Sequence, residues 1–271
     1  MIKLRLILLA FFQKMFEKIN KIPIISPFFH YFTLVFSGFV RLKSGNSPLP
    51  GAKKPEELLL LYEFEGCPFC RLVRESLSLL SLDVIIYPCP RETLKKYGYL
   101  EKSRFRPIVK DLGKKVMFPY LIDPNTKKSM YESRDIIQYL WDHYGRGLER
   151  PFFYRMANKR FYFLISSFLH SFLRPLPQMG ILRTPSKRPE ELLELWSREH
   201  DPKAKRIRET LCTLEIPYIL HHGSEEKSGT LKDPNNTIVM NSASQSVDYL
   251  FKTYQVSATT DESFLHYGKN D

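Results

Sequence analysis

Apolar positions along the chain switch between two spacings, and the switches mark out its elements. Residues 58–64, LLLLYEF, form an apolar run of strand length. Gly66-Cys67-Pro68 then turns the chain, with proline suited to the first position of a helix. From 70 to 82 the apolar residues fall at helical spacing, with Val73, Leu77 and Leu80 on one face. Residues 84–87, VIIY, read as a β-branched second strand. Strand, helix and strand within about thirty residues make a βαβ unit. Beyond a basic loop, 116–122 reads as a third strand and Asp123-Pro124-Asn125-Thr126 as a tight turn. Residues 127–131 read as a short fourth strand. A closing helix is expected over 133–144, with Ser133 as its N-cap and Gly145 just past its end.

The same pattern returns later in the chain. Residues 55–87 and 189–221 align without gaps at an offset of 134 and share thirteen of thirty-three residues. Residues 123–144 match 233–254, but here the offset is 110, so the second copy has lost 24 residues from its middle. The chain is therefore expected to hold two copies of one α/β unit.

Each copy follows a basic, aromatic stretch. Residues 1–50 carry seven Lys and Arg against one acid, Glu17, and residues 145–188 carry nine against Glu149. Within them, 28–40 and 161–173 are uncharged and read as apolar leader helices. Both are expected to pack against protein and to form a shared interface that welds the copies together. Residues 22–40 are just long enough to cross a bilayer, but Pro23 and Pro27 interrupt them. A surface-lying anchor and a true span remain the alternatives. Residues 1–21 are basic, contain an apolar run too short to span, and lack a secretory cleavage site. They are the expected membrane-surface element.

The whole chain, 271 residues with 43% apolar and 26% charged, can bury sizeable cores. Its formal charge of +12 suits anionic partners. Nucleic acid is a weak reading, since no recognisable nucleic-acid module is present. Four cysteines rule out a disulfide-stapled scaffold.

Two of those cysteines carry the chemistry. Cys67 and Cys70 flank Pro68-Phe69 where a strand becomes a helix, and N–H groups at a helix N-terminus lower a thiol pKa. Arg71 and Arg74 should favour the thiolate; Glu63 and Glu65 should oppose it. Cys70 is placed to resolve a mixed disulfide on Cys67. A half zinc site or inert thiols are the alternatives. Zinc wants about four ligands, and no second CxxC or spaced histidine pair accompanies this one, so no metal is expected. Cys89, in Pro88-Cys89-Pro90, reads as a loop residue or a regulatory thiol, and Cys212 as a buried thiol.

The first unit resembles the glutaredoxin-like, thioredoxin-fold domain that forms the N-terminal half of glutathione S-transferases. The residues that carry the resemblance are EFEGCPFCRLVRE at 63–75, FPYLIDPNT at 118–126 and YESRDIIQYL at 131–140. YPCPR at 87–91 and the tandem arrangement resemble a subgroup with two such domains in one chain. The resemblance covers about 54–145 strongly and 188–255 weakly. It implies a thioredoxin-like α/β fold, with a mixed four-stranded sheet and flanking helices in each copy.

It also implies roles. Pro119 matches the cis-proline that faces the active cysteine. The backbone of Phe118 would pair with the cysteinyl unit of glutathione, and Glu132 and Ser133 would hold its γ-glutamyl group. The second copy keeps none of this: Asp201 and Ala204 stand where Cys67 and Cys70 do, Ser242-Ala243 replace Glu132-Ser133, and the cis-proline strand falls within the lost 24 residues.

The expected organisation is a leader at 1–50, a glutaredoxin-like domain at 51–147, a basic aromatic linker with a helix at 148–187, a degenerate thioredoxin-like copy at 188–256 and a tail at 257–271. The leading functional expectation is glutathione-linked thiol–disulfide exchange, with Cys67 as nucleophile and Cys70 as resolving thiol. Glutathione would be the co-substrate, and protein or small-molecule disulfides the partners. A non-enzymatic scaffold, membrane-associated or not, and a glutathione-dependent transferase or isomerase are the alternatives. Transfer to bulky electrophiles is doubtful, because too few residues separate the copies to supply the family's helical C-terminal domain. A cytoplasmic protein that can associate with a membrane surface is expected.

Overall fold

The structure is a computed structural model and describes residues 25–91, 103–159, 162–163, 166, 180–222 and 226–256. A leader helix, α1 (Ile25–Val40), comes first. The first half then runs β1 (Leu59–Glu63), α2 (Pro68–Leu79), β2 (Val84–Pro88), α3 (Arg106–Gly113), β3 (Tyr120–Asp123), β4 (Lys128–Met130) and α4 (Ser133–Tyr144). After α5 (Phe152–Ala157), the second half runs β5 (Leu193–Trp196), α6 (Pro202–Thr213), β6 (Tyr218–His221), β7 (Leu231–Asp233), β8 (Ile238–Met240) and α7 (Ala243–Tyr254). The second half has no described counterpart of α3, which is where the 24 residues are missing.

The strands form one mixed sheet of eight, in the order β4-β3-β1-β2-β6-β5-β7-β8. In each half the βαβ pair is parallel and the later two strands add antiparallel. Each half supplies the four strands expected of it, and the sequence leaves open how the two sheets meet. In the structure β2 and β6, each the exposed edge of its own half, pair antiparallel. A bare edge of unpaired N–H and C=O groups is a template for another strand, and here the other half supplies it. Ile85 lies opposite Ile219, with Val84 opposite Leu220 and Ile86 opposite Tyr218. Since 85 and 219 are equivalent positions, the seam has the self-complementary pattern of a two-fold interface within one chain.

The core runs through the seam. Leu59, Leu61, Val73 and Leu77 of the first half share one buried cluster with Leu193, Leu195, Ile207 and Leu211 of the second. Equivalent polar anchors recur. Asp123 Oδ2 accepts from the Tyr139 and Tyr144 hydroxyls at 2.5 Å each. Asp233 Oδ2 accepts from Tyr249 and Tyr254 at 2.6 and 2.5 Å. These bonds tie the turn after the third strand of each half to its last helix.

Helix α1 meets its expectation on one face only. Thr33 and Leu34 are buried, whereas Phe32, Phe36 and Phe39 are 49%, 37% and 57% exposed. Most of 161–173 lies outside the described residues. Tyr162 donates to the Val40 carbonyl at 2.7 Å, and Arg41 donates to Ser166 Oγ at 3.3 Å, so the two leader segments do touch. Residues 1–21 and the tail from 257 lie outside the described residues.

Candidate active site

Three stretches converge on one end of the sheet. β1 ends at Glu63 and leads into the Cys67 turn. β3 runs antiparallel to it and starts at Tyr120, opposite Tyr62, so Phe118 and Pro119 lie beside the end of β1. β4 pairs with β3 up to Met130 opposite Leu121, which brings Glu132 and Ser133 to the same end.

Cys67 is the N-cap of α2. Its backbone is extended (φ −83°, ψ 119°), Pro68 follows in the first turn, and its Sγ accepts the Cys70 N–H at 3.4 Å. Burial alone would raise the Cys67 pKa. Hydrogen bonds from the Cys70 thiol and from the N–H groups of Cys70 and Phe69 outweigh burial and draw it below the ordinary value. Cys70 goes the other way: burial, then the neighbouring Cys67 sulfur, push its pKa well up. One helix turn thus separates a thiolate-prone sulfur from a proton-retaining one.

The arginines are not what stabilises the thiolate. Arg74 is buried and held by Glu63, Glu65 and Glu199. Arg71 is also buried, yet its three guanidinium nitrogens find no hydrogen-bond partner among the described residues. Burial, then the nearby Arg41, lower its pKa to about 10. Glu63 is 2% exposed. Burial and the adjacent Glu65 and Glu199 raise its carboxyl to about 7 against the pull of Arg74 and Arg208.

The Phe118–Pro119 peptide is cis, the geometry the resemblance implies. Phe118 packs against the cluster of Phe64, Cys67, Cys70 and Cys212. Its ring meets Phe64 edge-on at 6.0 Å, and the Arg106 guanidinium lies 4.9 Å from its centre. Arg106 in turn donates to the carbonyls of Pro90 and Cys89, both at 2.8 Å. Arg106 thus braces the cis-proline loop against the end of β2, a role not read from the sequence. The sign that was available is Arg106-Pro107, a helix start inside what otherwise reads as a basic loop.

Cys212 is the other residue the sequence placed only as a buried thiol. It comes from α6 of the second half and is 3% exposed. Its sulfur accepts the Glu65 N–H at 3.4 Å and donates to the Gly180 carbonyl at 3.2 Å. Cys89 is buried, and burial followed by Glu215 raises its pKa well above the ordinary value.

At the β4–α4 junction the N-cap is Glu132, and Ser133 is the first helical residue, a correction to the expected cap. Gly145 has right-handed geometry, and the left-handed residues after α4 are Arg146 and Gly147. Glu132 is exposed and holds φ 65°, ψ 110°, a sparsely populated region for a residue with a side chain. Its equivalent, Ser242, is relaxed at φ −113°, ψ 119°. The other equivalence is as telling. Asp201 caps α6 in backbone geometry close to that of Cys67, accepting from the N–H groups of Lys203 and Ala204 at 2.7 and 3.3 Å. A fixed carboxylate fills the position where the first half has a thiol.

A strip of the linker covers the motif. Ile181 and Arg183 hydrogen-bond through their backbones to Arg91. A Cβ on Gly66 would come within 2.6 Å of Ile181 Cγ1, so the residue before Cys67 has room for glycine alone. Cys67 itself is 5% exposed. Among the described residues no group of three or more His, Cys, Asp or Glu could hold a metal ion.

Residues 61–150, about a third of the chain, match the family model of the glutathione S-transferase N-terminal domain. Neither a curated protein nor a solved structure matches the chain significantly. The matched stretch spans most of β1 through α4 and holds Cys67, Cys70, the cis-proline and Glu132-Ser133. The segment at residues 61–150 therefore carries the glutathione S-transferase N-terminal, thioredoxin-like domain.

Proposed function

We propose that the first half performs glutathione-linked thiol–disulfide exchange and that the second half is a degenerate thioredoxin-like copy serving as its structural partner. The observation that carries this reading is the geometry: Cys67 caps α2, its sulfur accepts the Cys70 N–H, and Phe118 of the cis Phe118–Pro119 bond packs against both. The Cys67 thiolate attacks the glutathione sulfur of a mixed disulfide. A bond forms between Cys67 and that sulfur, and the partner thiol leaves as a thiolate that takes up a proton. A glutathione thiolate then attacks the Cys67-bound sulfur, oxidised glutathione departs, and the Cys67 thiolate returns. Cys70 could instead close a Cys67–Cys70 disulfide and expel glutathione. Either thiol resolves the intermediate in this reading, and the Cys70→Ser variant separates the two routes.

The surroundings suit glutathione. The Phe118 backbone next to the cis bond would take its cysteinyl unit. Glu132 would meet the γ-glutamyl ammonium, and the N–H groups opening α4 beside Ser133 would meet its carboxylate.

The low exposure of Cys67 under the strip at 180–183 favours a second reading, a glutathione-binding scaffold without turnover. One assay separates them: reduction of a small glutathione mixed disulfide by wild type, Cys67→Ser and Cys70→Ser. Exchange is expected to vanish in Cys67→Ser and to persist in Cys70→Ser. Equal rates in wild type and Cys67→Ser would refute the redox reading.

A further inference from the structure

We propose that the outer face of α1 docks the protein onto an anionic lipid bilayer. The sixteen residues of α1, ISPFFHYFTLVFSGFV, contain no Asp, Glu, Lys or Arg. The inner face of the helix is used, since Thr33 and Leu34 are buried. The outer face presents Phe32, Phe36 and Phe39 at i, i+4 and i+7, a single stripe. Phe32 and Phe36 stack at 5.6 Å, and the Lys43 ammonium sits 4.9 Å from the Phe39 ring. An exposed aromatic stripe with a cation at its end suits the boundary between headgroups and acyl chains.

A second exposed aromatic pair lies on α5. Phe152 and Phe153 on α5 are 61% and 62% exposed. The opposite end of α5 is held by Arg41, the residue after α1, which donates to Asn158 Oδ1 at 2.9 Å and to the Ala157 carbonyl. Arg155 and Lys159 accompany this pair. Exposed aromatics grouped in this way mark an interaction surface rather than ordinary solvent-facing residues.

Charge selects the occupant. The segments bearing the two aromatic groups are basic by seven to one over 1–50 and nine to one over 145–188. A basic segment that bears an apolar stripe, with Lys43 against Phe39, complements a sheet of anionic headgroups. The inner face of α1 is buried against protein, which suits docking in the interface plane, and no helix among the described residues is long and apolar enough to cross a membrane. The proposal does not rest on the chemistry of Cys67.

The test is flotation of the full chain with phosphatidylcholine vesicles, with and without phosphatidylglycerol, across a salt series. Wild type is expected to float with the anionic vesicles only, and less so as salt rises. F32S/F36S/F39S, whose changes fall on exposed positions, is expected to lose more than tenfold in partitioning while keeping its circular dichroism spectrum. A second arm places tryptophan in the stripe: Phe36→Trp should be quenched by brominated anionic lipid. Three results would each overturn the proposal: no vesicle binding by wild type, equal binding by the triple variant, or an unquenched Phe36→Trp in vesicle-bound protein. A wild-type dimer that the triple variant abolishes would assign the stripe to a second copy instead.

Discussion

Arg74 of the first half donates through Nε and Nη2 to the two carboxylate oxygens of Glu199 of the second, each at 3.0 Å. The equivalent pair, 134 positions on, reverses the traffic: Arg208 donates to Glu65 through the same two nitrogens at 3.3 and 3.2 Å. Each half thus holds the other by the same side chains, buried within the seam whose strands already pair at Ile85 and Ile219. Removing one member strands a buried charge rather than merely losing a bond. Glu199→Ala is expected to lower stability by about 3–5 kcal/mol, read by urea denaturation. A loss under 1 kcal/mol would show that the seam does not depend on this exchange.

Arg71 should behave in the opposite way. Its guanidinium is buried, unbonded among the described residues and close enough to Arg41 to be repelled by it. Replacing a poorly compensated buried charge with an apolar side chain of similar reach is often neutral or stabilising. Arg71→Met should therefore match or exceed wild type in the same denaturation series. A marked loss would mean that Arg71 has a stabilising partner after all.

The sequence made the first half legible because its periodicities are short-range and its motifs local. The runs at 58–64 and 84–87 and the helical face of Val73, Leu77 and Leu80 sit where β1, β2 and α2 lie. The third strand is shorter than expected because Pro119 cannot donate to a ladder and holds 116–119 off the sheet. Helix α3 was missed because eight residues starting at Arg106-Pro107, without a side-chain cap, carry too little pattern. What could not be read was the seam. Nothing in VIIY or YILH says which edge each will meet, and Glu63 and Glu65 read as opponents of the thiolate. Glu63 does oppose it by charge, and the fold also gives both acids buried arginine partners.

Glu63 gives the pH test. Its folded pKa, about 7, lies above the ordinary carboxylate value of 4.5. Between those two values the folded state binds more protons than the unfolded, so this group's contribution to stability falls as pH rises from about 4.5 to 7 and then levels. Glu63→Gln removes that slope. The stability of wild type relative to Glu63→Gln should therefore decline across this window, by denaturation at a series of pH values; a flat difference would reject the assignment. Glu63 also raises the Cys67 pKa through charge, so the variant should show a lower Cys67 pKa by thiolate absorbance.

Cysteine labelling should follow the geometry. Cys70, Cys89 and Cys212 are buried, with pKa values pushed well up, first by burial. Only Cys67 is drawn down. Alkylation of the native protein at mildly acidic pH, read by peptide mapping, should label Cys67 first. Earlier labelling of Cys212 or Cys89 would contradict it.

Glu132 offers a test in which stability and function part. At φ 65° and ψ 110° its backbone is strained, at a cost of order 1–3 kcal/mol. Glycine accepts that conformation freely but brings extra unfolded-state entropy of roughly 0.5–1 kcal/mol. Glu132→Gly is therefore expected to raise stability by about 1 kcal/mol. The matched position, Ser242, is already relaxed, so Ser242→Gly should only lose stability, by roughly 0.5–1 kcal/mol. If the strain is kept in order to aim Glu132 at the γ-glutamyl ammonium, Glu132→Gly should also raise the KM for glutathione several-fold and leave Cys67 alkylation unchanged. Glu132→Gln, which keeps a hydrogen-bonding side chain, should recover part of that loss. A stabilised Glu132→Gly with an unaltered KM would show that the strained residue has no part in holding glutathione.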